Sequence, residues 1–275
     1  MRPIPYLVVS LFAFVVASAE TPPAPTAGPG WKLVWSDEFD HEGLPDPAKW
    51  AYDVGVGHDG WGNHELEFYT KARPENARVE QGHLVIEARR EPWQGRAYTS
   101  ARLVTKDKAD WTHGRFEIRA RLPLGRGTWP AIWMLPTIWN LGNGDWPDNG
   151  EIDIMEHVGY DPGVIHASTH SQKNQWRHKN QRTATLPVPD AGTAFHTYAL
   201  EWDAEEIRIY VDDQHYFTSR KDGGDWTSWP FTRNFHLVLN LAVGGDWGGA
   251  KGVDETAFPR RMEVDYVRVY QEAAH

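Results

Sequence analysis

Apolar and polar residues alternate with a period of two at several places along the chain. The runs are Trp31-Lys32-Leu33-Val34-Trp35, Leu84-Val85-Ile86-Glu87-Ala88, Phe116-Glu117-Ile118-Arg119-Ala120-Arg121-Leu122, Ile207-Arg208-Ile209-Tyr210-Val211 and Met262-Glu263-Val264-Asp265-Tyr266. That period sends alternate side chains to a core and to solvent, which predicts a strand at each run. Turn-forming clusters such as Asp222-Gly223-Gly224-Asp225 separate the runs, and no stretch of a dozen residues carries a helical stripe. Many short antiparallel strands predict an all-β sandwich or barrel. One apolar run does not alternate: Leu7 to Val16, behind Arg2 and ahead of Ala17-Ser18-Ala19. A charged start, a short apolar run and an A-x-A site predict a signal peptide over residues 1–19 and a secreted protein, extracellular or periplasmic. The run is too short for a membrane span of about 20 residues, and no later segment is longer, so no membrane association is expected after cleavage. Residues 20–30 hold Pro22, Pro23, Pro25 and Pro29, which predicts an extended linker. No repeat or second linker follows, so residues 31–275 read as one domain.

Composition narrows the function. The 275 residues are 40% hydrophobic and 24% charged with no cysteine, which describes a globular protein whose core needs no disulfides. The missing thiols exclude a cysteine nucleophile and a thiolate zinc site. A net charge of -10 repels phosphate backbones, so nucleic acid is not an expected partner. Fifteen tryptophans against four methionines supply more flat aromatic surface than a core requires, and a curved sheet could line a concave face with it.

The densest chemistry lies in Gly150-Glu151-Ile152-Asp153-Ile154-Met155-Glu156-His157. In a regular strand Glu151 and Asp153 share a face, and Glu156, an odd five positions on, points away. A β-bulge with Met155 as the inserted residue returns Glu156 to the same face. Four regular steps then separate Glu151 from Glu156, about 13 Å between Cα atoms. Side chains leaning together leave carboxyls about 5 Å apart, the spacing of a retaining glycosidase rather than an inverting one. Three carboxyls crowded on one face cannot all ionise at neutral pH, so one of them keeps a proton and can act as a general acid. A solvated acidic strand is the alternative reading of the same residues.

Glu151-Ile-Asp-Ile-Met-Glu156 resembles the E-[IL]-D-[IV]-x-E signature of glycoside hydrolase family 16, in its laminarinase-like endo-β-1,3-glucanase branch. Trp35-Ser-Asp-Glu-Phe39, Gly60-Trp-Gly-Asn-His-Glu-Leu-Glu-Phe-Tyr-Thr70, Gly127-Thr-Trp-Pro-Ala-Ile-Trp-Met-Leu-Pro136 and Asp265-Tyr-Val-Arg-Val-Tyr270 resemble further blocks of that family, in order. The resemblance implies a concanavalin A-like β-jelly-roll sandwich with a substrate cleft on its concave sheet. It implies Glu151 as nucleophile, Glu156 as acid/base, Asp153 as the group that tunes the nucleophile, and His170 beside them. It further implies that Trp129 and Trp133 are sugar platforms, that Asn63 is a polar contact on the non-reducing side, and that Trp247 is a cleft residue. His64 departs from the pattern, since relatives more often carry asparagine there. The expected partner is a β-1,3-glucan, cleaved without a cofactor.

Other constellations carry less. His166 and His170 share a strand face and could pair on a metal, although a strand histidine more often satisfies a hydrogen bond. Gly55-Val56-Gly57-His58-Asp59-Gly60 fits G-x-G-x-x-G, but Trp61-Gly62-Asn63 follows where a helix should begin, so no dinucleotide site is expected. There is no G-x-S-x-G elbow. By the resemblance, Glu38, Gly82 and Asp265 imply a structural calcium site on the convex face, with solvated carboxylates as the alternative. A mixed-linkage glucan or galactan hydrolase, a transglycosylase and a non-catalytic glucan-binding lectin remain as readings of the same fold; the lectin is disfavoured because both glutamates are present. Nothing in the sequence demands more than a monomer.

Overall fold

The computed structural model describes residues 27–28 and 30–273, so the expected signal peptide and most of the expected linker lie outside the described residues. The strands, in chain order, are β1 (Trp31–Asp37), β2 (Ala51–Tyr52), β3 (Glu67–Tyr69), β4 (Ala77–Glu80), β5 (His83–Trp93), β6 (Arg96–Ser100), β7 (Arg102–Val104), β8 (Gly114–Arg121) and β9 (Thr128–Pro136). They continue with β10 (Glu151–Glu156), β11 (Val164–His170), β12 (Arg182–Pro187), β13 (His196–Trp202), β14 (Glu206–Val211), β15 (Gln214–Arg220), β16 (Phe235–Val243) and β17 (Arg260–Glu272). One sheet has ten strands in the order β15-β14-β13-β8-β17-β5-β6-β3, with β1 on β17 and β4 on β5; the other has seven, β12-β11-β10-β9-β16-β7-β2. Pairing is antiparallel except between β3 and β6. This is the expected jelly-roll sandwich.

The core fills the space between the sheets. Ile132 and Met134 of β9, Ile152 and Ile154 of β10, and Leu237, Leu239 and Leu241 of β16 meet Phe116, Ile118, Tyr198, Leu200, Val267 and Val269 from the larger sheet. Each strand of the smaller sheet therefore sends its other face outward, and β9 presents Trp129, Ala131 and Trp133 there. Two expectations fail locally. Leu33 and Val34 of β1 are both exposed, because the register of β1 on β17 shifts between Leu33 and Trp35. The surplus of tryptophan also divides: Trp50, Trp111, Trp202 and Trp229 are core residues, and the cleft draws on Trp61, Trp129, Trp133, Trp146 and Trp247.

Candidate active site

Gly150 opens the acidic strand. Its φ is +88°, and a Cβ there would stand 2.8 Å from Pro230, so the chain enters β10 in a conformation that only glycine adopts without strain. Across from β11, Glu151 faces His170, Asp153 faces Ser168 and Glu156 faces His166, with the register shifting between Asp153 and Glu156. The bulge is present, but its place differs by one residue from the expectation. Against β9, Asp153 faces Trp133 and Met155 faces Ile132, so Ile154 is the residue left without a partner. Both Ile154 and Met155 point into the core. Two successive apolar side chains turned inward are what bring Glu156 out beside Glu151 and Asp153.

Each carboxyl has its own partners. Trp146 Nε1 donates to Glu151 Oε2 at 3.0 Å, and Trp129 Nε1 donates to Glu156 Oε1 at 3.0 Å. His170 Nε2 lies 3.2 Å from Asp153 Oδ2 and 3.8 Å from Glu151 Oε1, so one imidazole nitrogen faces both acids. Burial, followed by repulsion from Asp153 and opposed by His170, holds the Glu151 carboxyl well above the usual carboxylate range. Burial pushes Asp153 up to about 8. Burial and then the Asp153 charge push Glu156 up to about 8, while His170 and the Trp129 N–H act in the opposite sense. Protons on Asp153 and Glu156 relieve the repulsion on Glu151, which the Trp146 N–H and His170 also oppose, while burial still holds it up. The strand thus crowds three buried carboxyls, all held above the ordinary range, on one face.

The raised Asp153 has a consequence for stability. Between its ordinary value of 3.8 and about 8, the folded chain keeps a proton that the unfolded chain releases. Folding is therefore penalised progressively as pH rises through that window. Asp153→Asn removes the titration and keeps the shape. Its Tm should exceed that of the wild type by a few degrees at pH 8, on the basis of roughly 2–4 °C per kcal/mol, and the gain should shrink towards pH 4. Thermal scans at the two pH values check this, and a Tm difference independent of pH would contradict it.

The remaining expected residues fall into place around this strand. Trp247 packs edge-on against Trp129, with centroids 5.5 Å apart, and against His166 at 4.8 Å. His166 therefore sits beside Glu156 as an aromatic neighbour, whereas His170 faces Glu151. Trp133 Nε1 donates to Asn240 Oδ1 at 2.7 Å, and Asn240 Nδ2 donates to the Tyr69 hydroxyl at 3.0 Å. Tyr69 in turn donates to Glu65 Oε2 at 2.9 Å, and Asn63 Nδ2 donates to Glu65 Oε1 at 3.1 Å. Asn63 and Trp133 are thus the two ends of one buried relay. His64 pairs at the surface with Asp246 at 2.9 Å.

Trp146, Glu65, Tyr69 and Asn240 were not among the expected site residues. Trp146 stands five positions before Glu151, and only the path of the intervening loop brings its N–H onto that carboxylate. Glu65 lies within a quoted family block, but its role depends on the fold bringing Tyr69 to it; its charge also contributes to raising Glu156.

The carboxylates of the expected calcium set carry ion pairs. Both oxygens of Glu38 accept from Arg268, at 2.9 and 2.8 Å, and Asp265 Oδ2 accepts from Arg119 at 2.6 Å. Each acid is already neutralised by an arginine of β17 or β8, and Gly82 adds only a carbonyl. The densest set of metal-type donors among the described residues is Glu151, Asp153 and His170, within 4.8 Å of one another, and these are the groups just described.

Comparison with known proteins follows the same lines. The family model for glycosyl hydrolases family 16 matches residues 64–268. A beta-glucanase of Rhodothermus marinus is 60% identical over 248 residues, covering 88% of this chain and 86% of that protein. A glucan endo-1,3-beta-glucosidase of Cryptopygus antarcticus is 39% identical over 254 residues, covering 86% and 91%. The X-ray structure of the laminarinase from Rhodothermus marinus superposes with a TM-score of 0.87 at 59% identity, covering 89% of this chain and 98% of that one.

Proposed function

Because the chain belongs to glycosyl hydrolases family 16, we propose that its acidic strand is the catalytic centre of a retaining endo-1,3-β-glucanase acting on laminarin-type β-1,3-glucan. The observation that carries this reading is the bulge between Asp153 and Glu156, which sets the Glu151 and Glu156 carboxyls on one face, each held by a tryptophan N–H. The Glu151 carboxylate attacks the anomeric carbon while the Glu156 carboxyl gives its proton to the departing glycosidic oxygen. The glycosyl ester on Glu151 then meets water. Glu156, now a carboxylate, takes the proton of that water, whose oxygen bonds to the anomeric carbon and releases Glu151, with the β configuration restored. Asp153 keeps its proton and so spares Glu151 a neighbouring charge, and Trp146 and His170 position Glu151. The two carboxyl groups supply the chemistry, and it needs no cofactor.

A single chain contributes every reacting group, which supports action as a monomer. The apolar run ahead of Ala19 supports export to where polymeric glucan is met.

A product profile on laminarin, lichenan, agarose and xyloglucan tests the reading. Laminarin should be cleaved with kcat/KM at least tenfold above the galactan and xyloglucan. Cleavage of agarose alone would overturn the choice of substrate.

A further inference from the structure

Beyond the carboxylates the aromatic lining continues in one direction. Trp176 lies in the connection between β11 and β12 and is the one tryptophan among the exposed large apolar side chains of the described residues, 44% accessible. Its ring centroid is 6.4 Å from that of Trp146, whose N–H holds Glu151. The Arg177 guanidinium lies 4.8 Å from the Trp146 ring and 5.4 Å from the Trp176 ring, and among the described residues no carboxylate is within ion-pair distance of it. Cation and rings brace one another.

The loop beneath is fixed. The Lys173 N–H donates to the Thr227 carbonyl at 2.8 Å, Asn180 Oδ1 accepts from the Gln175 N–H at 3.0 Å, and the Gln175 side chain is buried. An indole presented on a hydrogen-bonded loop is pre-organised for a ligand, so little ordering is left for binding to impose.

Position decides what that ligand is. Trp133 and the Asn63 relay flank β10 on its β9 side, and Trp176 flanks it on the β11–β12 side. There the floor is small and polar: Thr185 faces His166 and Thr183 faces Ser168 across β12 and β11. A polysaccharide crossing the strands past Glu151 and Glu156 must run over this floor with one edge against Trp176. A pyranose offers a C–H face to the indole and hydroxyls to Arg177.

We propose that Trp176, braced by Arg177 against Trp146, is a stacking platform for a glucosyl unit on the leaving-group side of the cleaved bond. The proposal rests on the glucanase reading and adds to it the residue that grips the departing half of the chain. Losing one aromatic stacking partner should cost about tenfold in kcat/KM on a substrate long enough to reach it.

The test compares Trp176→Ala and Trp176→Phe with the wild type on laminarihexaose labelled with 18O at its reducing end, and on laminaribiosyl fluoride, whose leaving group is a single ion. The alanine variant should lose about tenfold on the hexasaccharide and shift its cleavage towards the reducing end. On the fluoride it should lose less than about twofold, since that donor gains nothing from the platform. Phenylalanine should restore most of the loss. An unchanged cleavage map and kcat/KM, or equal losses on both substrates, would overturn the platform while leaving the glucanase reading intact. No cleavage of laminarihexaose by the wild type would overturn that reading and the platform with it.

Discussion

Glu151→Ala should lower turnover of laminarin on the order of 10⁴-fold or more, as removal of a nucleophile does in other covalent mechanisms. The fold should survive, because Glu151 lies on the outer face of β10 and its removal leaves Ile152 and Ile154 in the core. Glucan should still bind through the tryptophans. The shorter side chain opens a space on the face from which the anomeric carbon is attacked, and a small anion can occupy it. Sodium azide should therefore restore turnover of a donor with a good leaving group and give the α-glycosyl azide, with inverted configuration. Azide rescue with inversion at Glu156 and none at Glu151 would exchange the two roles.

Glu156→Ala should behave differently although the loss on laminarin is again large, about 10²–10⁴-fold for a missing general acid. A donor whose leaving group departs without a proton should still glycosylate Glu151 rapidly, so the second step becomes limiting. Azide then intercepts the ester on Glu151 from the opposite face, and the product is the β-glycosyl azide. In the wild type the acid works while it keeps its proton. Since burial and Asp153 push Glu156 up to about 8, kcat/KM on laminarin should fall as pH rises above about 8, with an apparent value shared between Glu156 and Asp153. That alkaline limb should be missing from the variant assayed with the activated donor. A wild-type limb in the ordinary carboxylate range, or its persistence in the variant, would contradict the assignment of the proton to Glu156.

How far the site could be read from the residues depended on how local its physics is. Glu151, Asp153 and Glu156 were legible because a period of two that slips by one residue demands an insertion, and the acidic side chains mark where it falls. The inserted residue was misplaced, at Met155 instead of Ile154, because both are apolar and either can turn inward; only the pairing with β9 distinguishes them. Leu33 was misread for a related reason, since the register shift on β17 leaves no trace in composition. Trp146 was invisible because the loop ahead of β10, not sequence distance, carries its indole to Glu151. The relay from Asn63 through Glu65, Tyr69 and Asn240 to Trp133 joins the turn before β3 and β3 itself to β16 and β9, four segments with no common pattern. At Glu38 and Asp265 the motif drew attention to the acids, while their partners Arg119 and Arg268 are set by strand alternation and the sheet order that places β17 beside β8.

In the proposed mechanism the bulged strand makes Glu151 a nucleophile that carries the sugar covalently. Incubation with 2-deoxy-2-fluorolaminaribiosyl fluoride, which glycosylates quickly and deglycosylates slowly, followed by peptic digestion and mass spectrometry, tests it most directly. One adduct of the mass of the fluorinated disaccharide is expected on the peptide containing residues 150–157, with fragmentation placing it on Glu151. An adduct on Glu156, or a catalytically competent enzyme that forms none and releases the α-anomer first from laminarin, would contradict it.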